Sequence, residues 1–192
     1  CTTSGTGILN TMGNYLEQHQ RSLAEPSEYW LEIANDVHWH KKPTQGVDTS
    51  GSPFNTWFAD GEINACYNAI DVHVANGRGD QVALIHDSPL TDSHKTFTYS
   101  QLLDQISRFA GVLVSEGLVQ GDRVMIYMPM IPEALIAILA CARIGVVHTV
   151  VFGGFASKEL AVRINDCSPK LIVTASCGIE PSRVIEYQKL VE

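Results

Sequence analysis

Between residues 123 and 155 the chain carries charge only at Arg123, Glu133 and Arg143, and prolines and glycines cut this apolar stretch into short pieces. Residues 124–128 are an apolar run that predicts a buried strand, and 133–144 are apolar nearly all round, which predicts a helix buried on every side. Pro132 stands where a first helical residue needs no backbone N–H, and Gly145 ends the helix. Residues 146–151 form a second apolar strand that runs directly into Gly153-Gly154-Phe155, with Ser157 following as a helix cap. Strand, helix and strand with short connections predict a parallel β-α-β unit. Its glycine turn falls at the carboxyl edge of the sheet, where open α/β sheets bind ligands.

Regular elements are expected on both sides of this unit. A strand over 82–86 is closed by Asp87, Pro89 and Asp92. Thr98 and Gln101 have the spacing of a capping box, after which Leu102, Ile106, Phe109-Ala110, Leu113 and Val114 recur at helical intervals until Gly117. Ser157 caps a helix over 158–166, Pro169 breaks the chain, 170–175 makes another buried strand, and Pro181 begins a last helix. The fold class expected is α/β, a partial doubly wound, mostly parallel sheet. Apolar strands in so small a sheet leave edges uncovered, so residues 81–192 are read as the first part of a larger domain.

The upstream texture is different. Residues 1–25 are polar and aperiodic, which predicts a flexible arm or a marginal helix around Tyr15 and Leu16. The run Thr3-Ser4-Gly5-Thr6-Gly7 looks like a phosphate loop but lacks the preceding strand and following lysine, so it is read as part of the arm. Residues 26–80 scatter Tyr29, Trp30, Trp39, Trp57, Phe58 and Tyr67 among Gly, Pro and Asn, an irregular extension pinned by aromatic anchors. It has too little apolar periodicity for a core of its own, and is expected to wrap a neighbouring domain. His38 and His40 have no third ligand nearby and are read as packing residues, with no metal.

Composition narrows the function classes. With 45% apolar and 18% charged residues the chain is of the soluble globular type, and a net charge of −8 argues against general nucleic-acid binding. An anionic small ligand held by a local cluster remains compatible. Pro129 and Pro132 interrupt the only membrane-like stretch, 124–142, so no membrane span is expected. Five scattered cysteines without a CxxC pair suggest neither a disulfide framework nor a zinc site, and fit a reducing intracellular compartment. The sequence holds no nucleophile beside a base and no paired carboxylates on one helical face, so no catalytic residue is assigned. Gly153-Gly154 admits close approach of a ligand, and also reads as a plain turn. Arg183, in the next connection, has a fork suited to phosphate, and also reads as a solvated loop arginine.

Longer strings carry a resemblance. Tyr29-Trp30, Trp57-Phe58, Gly61, Asn64 and Tyr67-Asn68-Ala69 resemble the N-terminal extension of short-chain acyl-CoA synthetases, the acetyl- and propionyl-CoA synthetases of the adenylate-forming superfamily. The likeness continues through Gly121-Asp122-Arg123-Val124, Tyr127-Met128-Pro129, Pro132-Glu133, residues 140–145, His148, Val151-Phe152-Gly153-Gly154-Phe155 and Arg163, and covers 26–192. Gly178-Ile179-Glu180-Pro181-Ser182-Arg183 with Glu186-Tyr187 is similar to the propionyl-type branch.

The resemblance implies two half-reactions: a carboxylate and Mg-ATP give an acyl-adenylate and pyrophosphate, and the coenzyme A thiol then attacks the acyl carbonyl. It implies that Phe152, Gly153 and Gly154 line the pantetheine channel, and that Glu180 and Arg183 meet the nucleotide end of coenzyme A. The partners implied are a small carboxylate, ATP and coenzyme A, in cytoplasm or mitochondrial matrix. Acetyl-type members carry a second arginine where this chain has Glu180, so a double-arginine clamp is not implied; Val72 replaces another common arginine at a position read as structural. The family's lysine-bearing phosphate loop, acyl pocket and catalytic lysine have no match here, so the isolated chain is expected to be an inactive fragment. Two other classes stay open: a non-catalytic α/β binding or scaffolding module, and a dinucleotide-binding domain, disfavoured by the lack of GxGxxG.

Overall fold

The computed structural model describes residues 15–151, 153 and 157–191; the Thr3-to-Gly7 run, Phe152, Gly154 and Phe155 lie outside the described residues. The chain divides into two compact units, with the break between Ile63 and Asn64.

The first unit holds helices α1 (Tyr15–Ala24) and α2 (Pro26–Ile33) and an antiparallel pair, β1 (Val47–Asp48) with β2 (Thr56–Trp57). Pro26 starts α2, where its fixed φ and missing N–H suit a first turn. Neither helix has a fully buried residue. Aromatic rings meet in succession instead: Tyr29 on Trp30 at 5.1 Å, Trp30 on Trp57 at 6.1 Å, Trp57 on Phe58 at 6.3 Å and Phe58 on Trp39 at 5.4 Å between centroids. Polar clasps fasten this ladder. Trp39 Nε1 donates to the Ala34 carbonyl at 2.7 Å, and Asp60 accepts from the Thr44 hydroxyl at 2.7 Å. The expected aromatic rings therefore meet, but Tyr29 and Trp30 stand on a short helix, α2, where an irregular segment was expected, while α1 includes Tyr15 and Leu16, where a marginal helix was one of the two readings.

In the second unit two wide helical turns, Tyr67–Asp71 and Val74–Arg78, lead to the antiparallel hairpin β3 (Val82–Ser88) and β4 (Ser93–Thr98). The sequence reading missed β4, because Ser-His-Lys-Thr-Phe-Thr is largely polar and none of it is fully buried. Thr98 then caps α3 (Tyr99–Ser115) as expected: its hydroxyl accepts from the Gln101 N–H while the Gln101 amide accepts from the Thr98 N–H at 2.9 Å.

The centre is a parallel sheet of β5 (Arg123–Tyr127), β6 (Val147–Val151) and β7 (Leu171–Thr174), in the order β6-β5-β7. Helix α4 (Pro132–Arg143) joins β5 to β6, and α5 (Ser157–Cys167) joins β6 to β7 across β5. Because the chain reverses direction across the sheet at β6, a single crossover hand requires the two helices to lie on opposite faces. The packing meets that requirement. Val124 and Ile126 enter one core with α3 and α4, while Met125 and Tyr127 enter another with Leu160 of α5. All four of these β5 residues are 0% exposed, the period-2 consequence of a strand buried on both faces. In α4 only Glu133 is exposed, so the all-round apolar reading holds.

The end of α4 is tied back to the start of this unit. Asn64 Nδ2 donates to the last carbonyls of the helix, Ala142 at 3.2 Å and Arg143 at 3.0 Å, and the Arg143 guanidinium meets Asp71 at 2.6 Å. The amino edge of the sheet is closed by charge. Asp122 accepts from the Val119 N–H at 2.8 Å and from Lys170 Nζ at 2.9 Å, and Arg123 Nε donates to the Cys167 carbonyl at 2.6 Å.

Beyond β7 the chain forms a short antiparallel hairpin, β8 (Gly178–Glu180) and β9 (Arg183–Ile185), before α6 (Tyr187–Val191). The expected helix start at Pro181 is thus displaced. Pro181 and Ser182 form the hairpin turn, and the helix begins only at Tyr187.

Candidate functional site

Strands β5, β6 and β7 end level with one another, Tyr127 standing opposite Val151 on one side and Thr174 on the other. The Thr174 hydroxyl donates to the Tyr127 carbonyl at 2.7 Å and ties two of these ends together. Two glycines follow: Gly153 just past β6 and Gly178 at the start of β8, both buried. A side chain at either would collide with Tyr187. A Cβ on Gly153 would lie 2.2 Å from the Tyr187 hydroxyl oxygen, and one on Gly178 would lie 2.4 Å from Tyr187 Cε2. The bareness of Gly153 is therefore explained first by a tyrosine packed against it.

Tyr187 is 4% exposed, and its ring stands edge-on to Tyr127 with centroids 4.9 Å apart. Burial, with the Glu180 carboxylate second, pushes its phenol above the ordinary range. It is a neutral group that contributes shape. Beside it a cavity of about 360 Å³ opens between the end of β5, at Met128 and Pro129, and the two glycines, with Glu180 also on its wall. The size suits a slender small-molecule segment, and the lining is predominantly apolar with few polar groups, as ligand clefts are.

The predicted site residues divide as follows. Gly153 and Glu180 both line this cavity. Glu180 and Arg183 are brought together as facing residues of the β8–β9 hairpin, where Arg183 Nε donates to Glu180 Oε2 at 2.7 Å. Their side chains are 39% and 65% exposed, so the terminal guanidinium nitrogens remain accessible to a phosphate. Phe152 and Gly154 lie outside the described residues. The sequence reading took Tyr187 only as part of a branch-like string; two glycines that each follow or open a strand at one sheet edge were the available sign that a large ring packs there. Among the described residues no group of three or more His, Cys, Asp or Glu is placed to hold a metal ion, and no helix is long and apolar enough to cross a membrane. Cys66, Cys141, Cys167 and Cys177 form no disulfide, and burial pushes the Cys141 thiol up to about 11.

Comparison with known proteins places the sequence in a family. A family model described as the acetyl-coenzyme A synthetase N-terminus matches residues 15–69, and one described as AMP-binding enzyme matches residues 72–191. Acyl-CoA synthetase short-chain family member 3, mitochondrial, of Bos taurus is 51% identical over 94% of this chain and 26% of its own length. The propionate–CoA ligases of Salmonella typhimurium and Escherichia coli are each 46% identical over 93% of this chain and 28% of their own. The chain thus spans about a quarter of the length of these relatives. With one model covering most of the second unit and the other the segment before it, the chain belongs to the AMP-binding enzyme family.

Proposed function

We propose that this chain supplies part of the coenzyme A site of an AMP-forming short-chain acyl-CoA synthetase. In that reaction a carboxylate and Mg-ATP give an acyl-adenylate and pyrophosphate, and the coenzyme A thiol then displaces AMP to leave the thioester. Propionate is the preferred acid in this reading, in line with the names of two relatives, and the compartment is mitochondrial matrix or cytoplasm. The chain binds neither nucleic acid nor membrane in this reading, and its own residues hold ligand and leave the acid–base chemistry to others, so the isolated polypeptide is inactive.

The observation that most supports this reading is the apolar cavity at the carboxyl edge, with Gly153 in its wall and the accessible Arg183 fork on the adjoining hairpin. An apolar channel beside a phosphate-binding group matches the two ends of coenzyme A. Phe152 and Gly154 are proposed to continue the channel wall, and Glu180 to hold Arg183 in place for the nucleotide end. One observation favours a second reading: Tyr187 already occupies the space beside Gly153, so the glycine also suits a non-catalytic α/β module in which it serves packing alone.

A chimera separates the two. In it, residues 1–192 replace the aligned segment of the Escherichia coli propionate–CoA ligase. The enzymatic reading expects ATP–pyrophosphate exchange with propionate and thioester formation; a soluble, folded chimera with neither activity leaves the scaffolding reading. Within an active chimera, Arg183→Ala raises the KM for coenzyme A about tenfold, the loss of one charged hydrogen bond, and leaves exchange nearly unchanged. Equal loss of both half-reactions would make the arginine structural.

A further inference from the structure

Tyr187 joins three parts of the carboxyl edge. Its ring rests edge-on against Tyr127, the 0% exposed last residue of β5, which is the floor of the edge. Its hydroxyl lies against Gly153, from the connection after β6, and its Cε2 against Gly178, from the connection after β7. The same residue lines the cavity that those glycines border. The space that a side chain would need at either glycine is already filled by the ring, so both backbone segments rest against it. Removing the ring would free both walls at once.

We propose that Tyr187 is the positioning residue of this cavity: its ring holds the two glycine walls at one separation and so sets the width of the passage through which a slender, thiol-bearing chain reaches the sheet edge. This rests on the coenzyme A reading given above. Tyr187 touches the walls and the floor, and its role is exerted through them on the ligand. Ring atoms reach all three parts, Tyr127 edge-on, Gly153 through Cζ and Cε1 and Gly178 through Cε2, so the ring carries the role and the hydroxyl adds to it at both glycines.

The chimera provides the test, with Tyr187→Phe, Tyr187→Leu and Tyr187→Ala compared in two assays. ATP–pyrophosphate exchange with propionate precedes the entry of coenzyme A; thioester formation depends on it. Tyr187→Ala is expected to raise the KM for coenzyme A about tenfold or more, because small misplacements of a positioning wall carry costs of this order, while exchange stays within about twofold. Tyr187→Phe restores the KM, and Tyr187→Leu, which fills the core without a planar ring, falls between and stands in for the alanine variant should that one not fold. An unchanged KM in both the alanine and leucine variants overturns the proposal, as does a phenylalanine variant as impaired as alanine.

Failure of the underlying reading is distinguishable: the unsubstituted chimera then exchanges pyrophosphate without making thioester, or does neither. In that event the positioning role is read on the 192-residue chain itself. Gly153→Ala lowers the thermal unfolding midpoint beside the native tyrosine and has little effect in a Tyr187→Ala background; equal losses in both backgrounds overturn the contact on which the role depends.

Discussion

The two ends of the central sheet are closed by opposite means. At the amino edge Lys170 donates to the Asp122 carboxylate and to the Gly117 carbonyl, and Arg123 donates to the Cys167 carbonyl, with hydrogen bonds of 2.6 to 2.9 Å. At the carboxyl edge one tyrosine ring is fitted against two glycines and a second tyrosine. Charged closure on a surface is screened by water and salt, and is insensitive to small displacements. Closure by shape is short-ranged and unforgiving, and the spaces it leaves are apolar. The cavity accordingly lies at the second end, where the walls are held by packing and a ligand meets few fixed charges.

Substitutions at the two edges test this contrast. Tyr127→Ala removes the floor beneath Tyr187 and a fully buried side chain, and is expected to cost about 3–5 kcal/mol in urea unfolding. Gly178→Ala places a methyl group 2.4 Å from Tyr187 Cε2 and should cost about 1–3 kcal/mol by the same measurement, the cost of overpacking. A neutral outcome there would break the comparison by showing that the carboxyl edge can yield.

Asp122→Asn probes the other edge and should have a smaller effect, with a distinctive pH dependence. Its carboxyl is held below the ordinary range by the hydrogen bond from Lys170 first and by the Val119 N–H second. A depressed folded value means that the stabilisation is present above the ordinary carboxylate pKa of about 4 and is lost as pH falls through the folded value. The difference in unfolding midpoint between the native chain and the variant should therefore be present at neutral pH and vanish in acid; a difference that persists in acid would mean that the residue acts through shape after all. Arg183→Ala should leave the midpoint unmoved, since its pair with Glu180 is solvent-exposed. A large shift would make the β8–β9 hairpin part of the edge's framework.

The parts legible in the sequence were those in which local pattern and tertiary burial agree. Residues 123–151 read correctly as strand, helix and strand because β5 is covered on both faces and α4 exposes only Glu133, so their apolar runs need no partner to be recognised. Thr98 and Gln101 were equally legible, since a capping box is a local device. Strand β4 was not, because its polar residues are stabilised by pairing with β3 and not by burial. Proline misled at 181, where its fixed φ suits a turn as well as a helix start. Of the candidate site, Gly153, Glu180 and Arg183 could be picked out as backbone and charge features. The role of Tyr187 could not, because it depends on a contact across more than thirty residues of chain, with Gly153.

The central position of β5 has a further consequence, for exchange with solvent. Its backbone is hydrogen-bonded to a strand on each side, and both of its faces are covered. Local fraying can expose amides in β6 or β7, each an outer strand among the described residues, but β5 has no boundary from which to fray. Its amide protons should be the slowest in the chain to exchange with deuterium, reporting only openings of the whole second unit. The strand that leads into the cavity at Met128 and Pro129 is then the last part of the second unit to loosen.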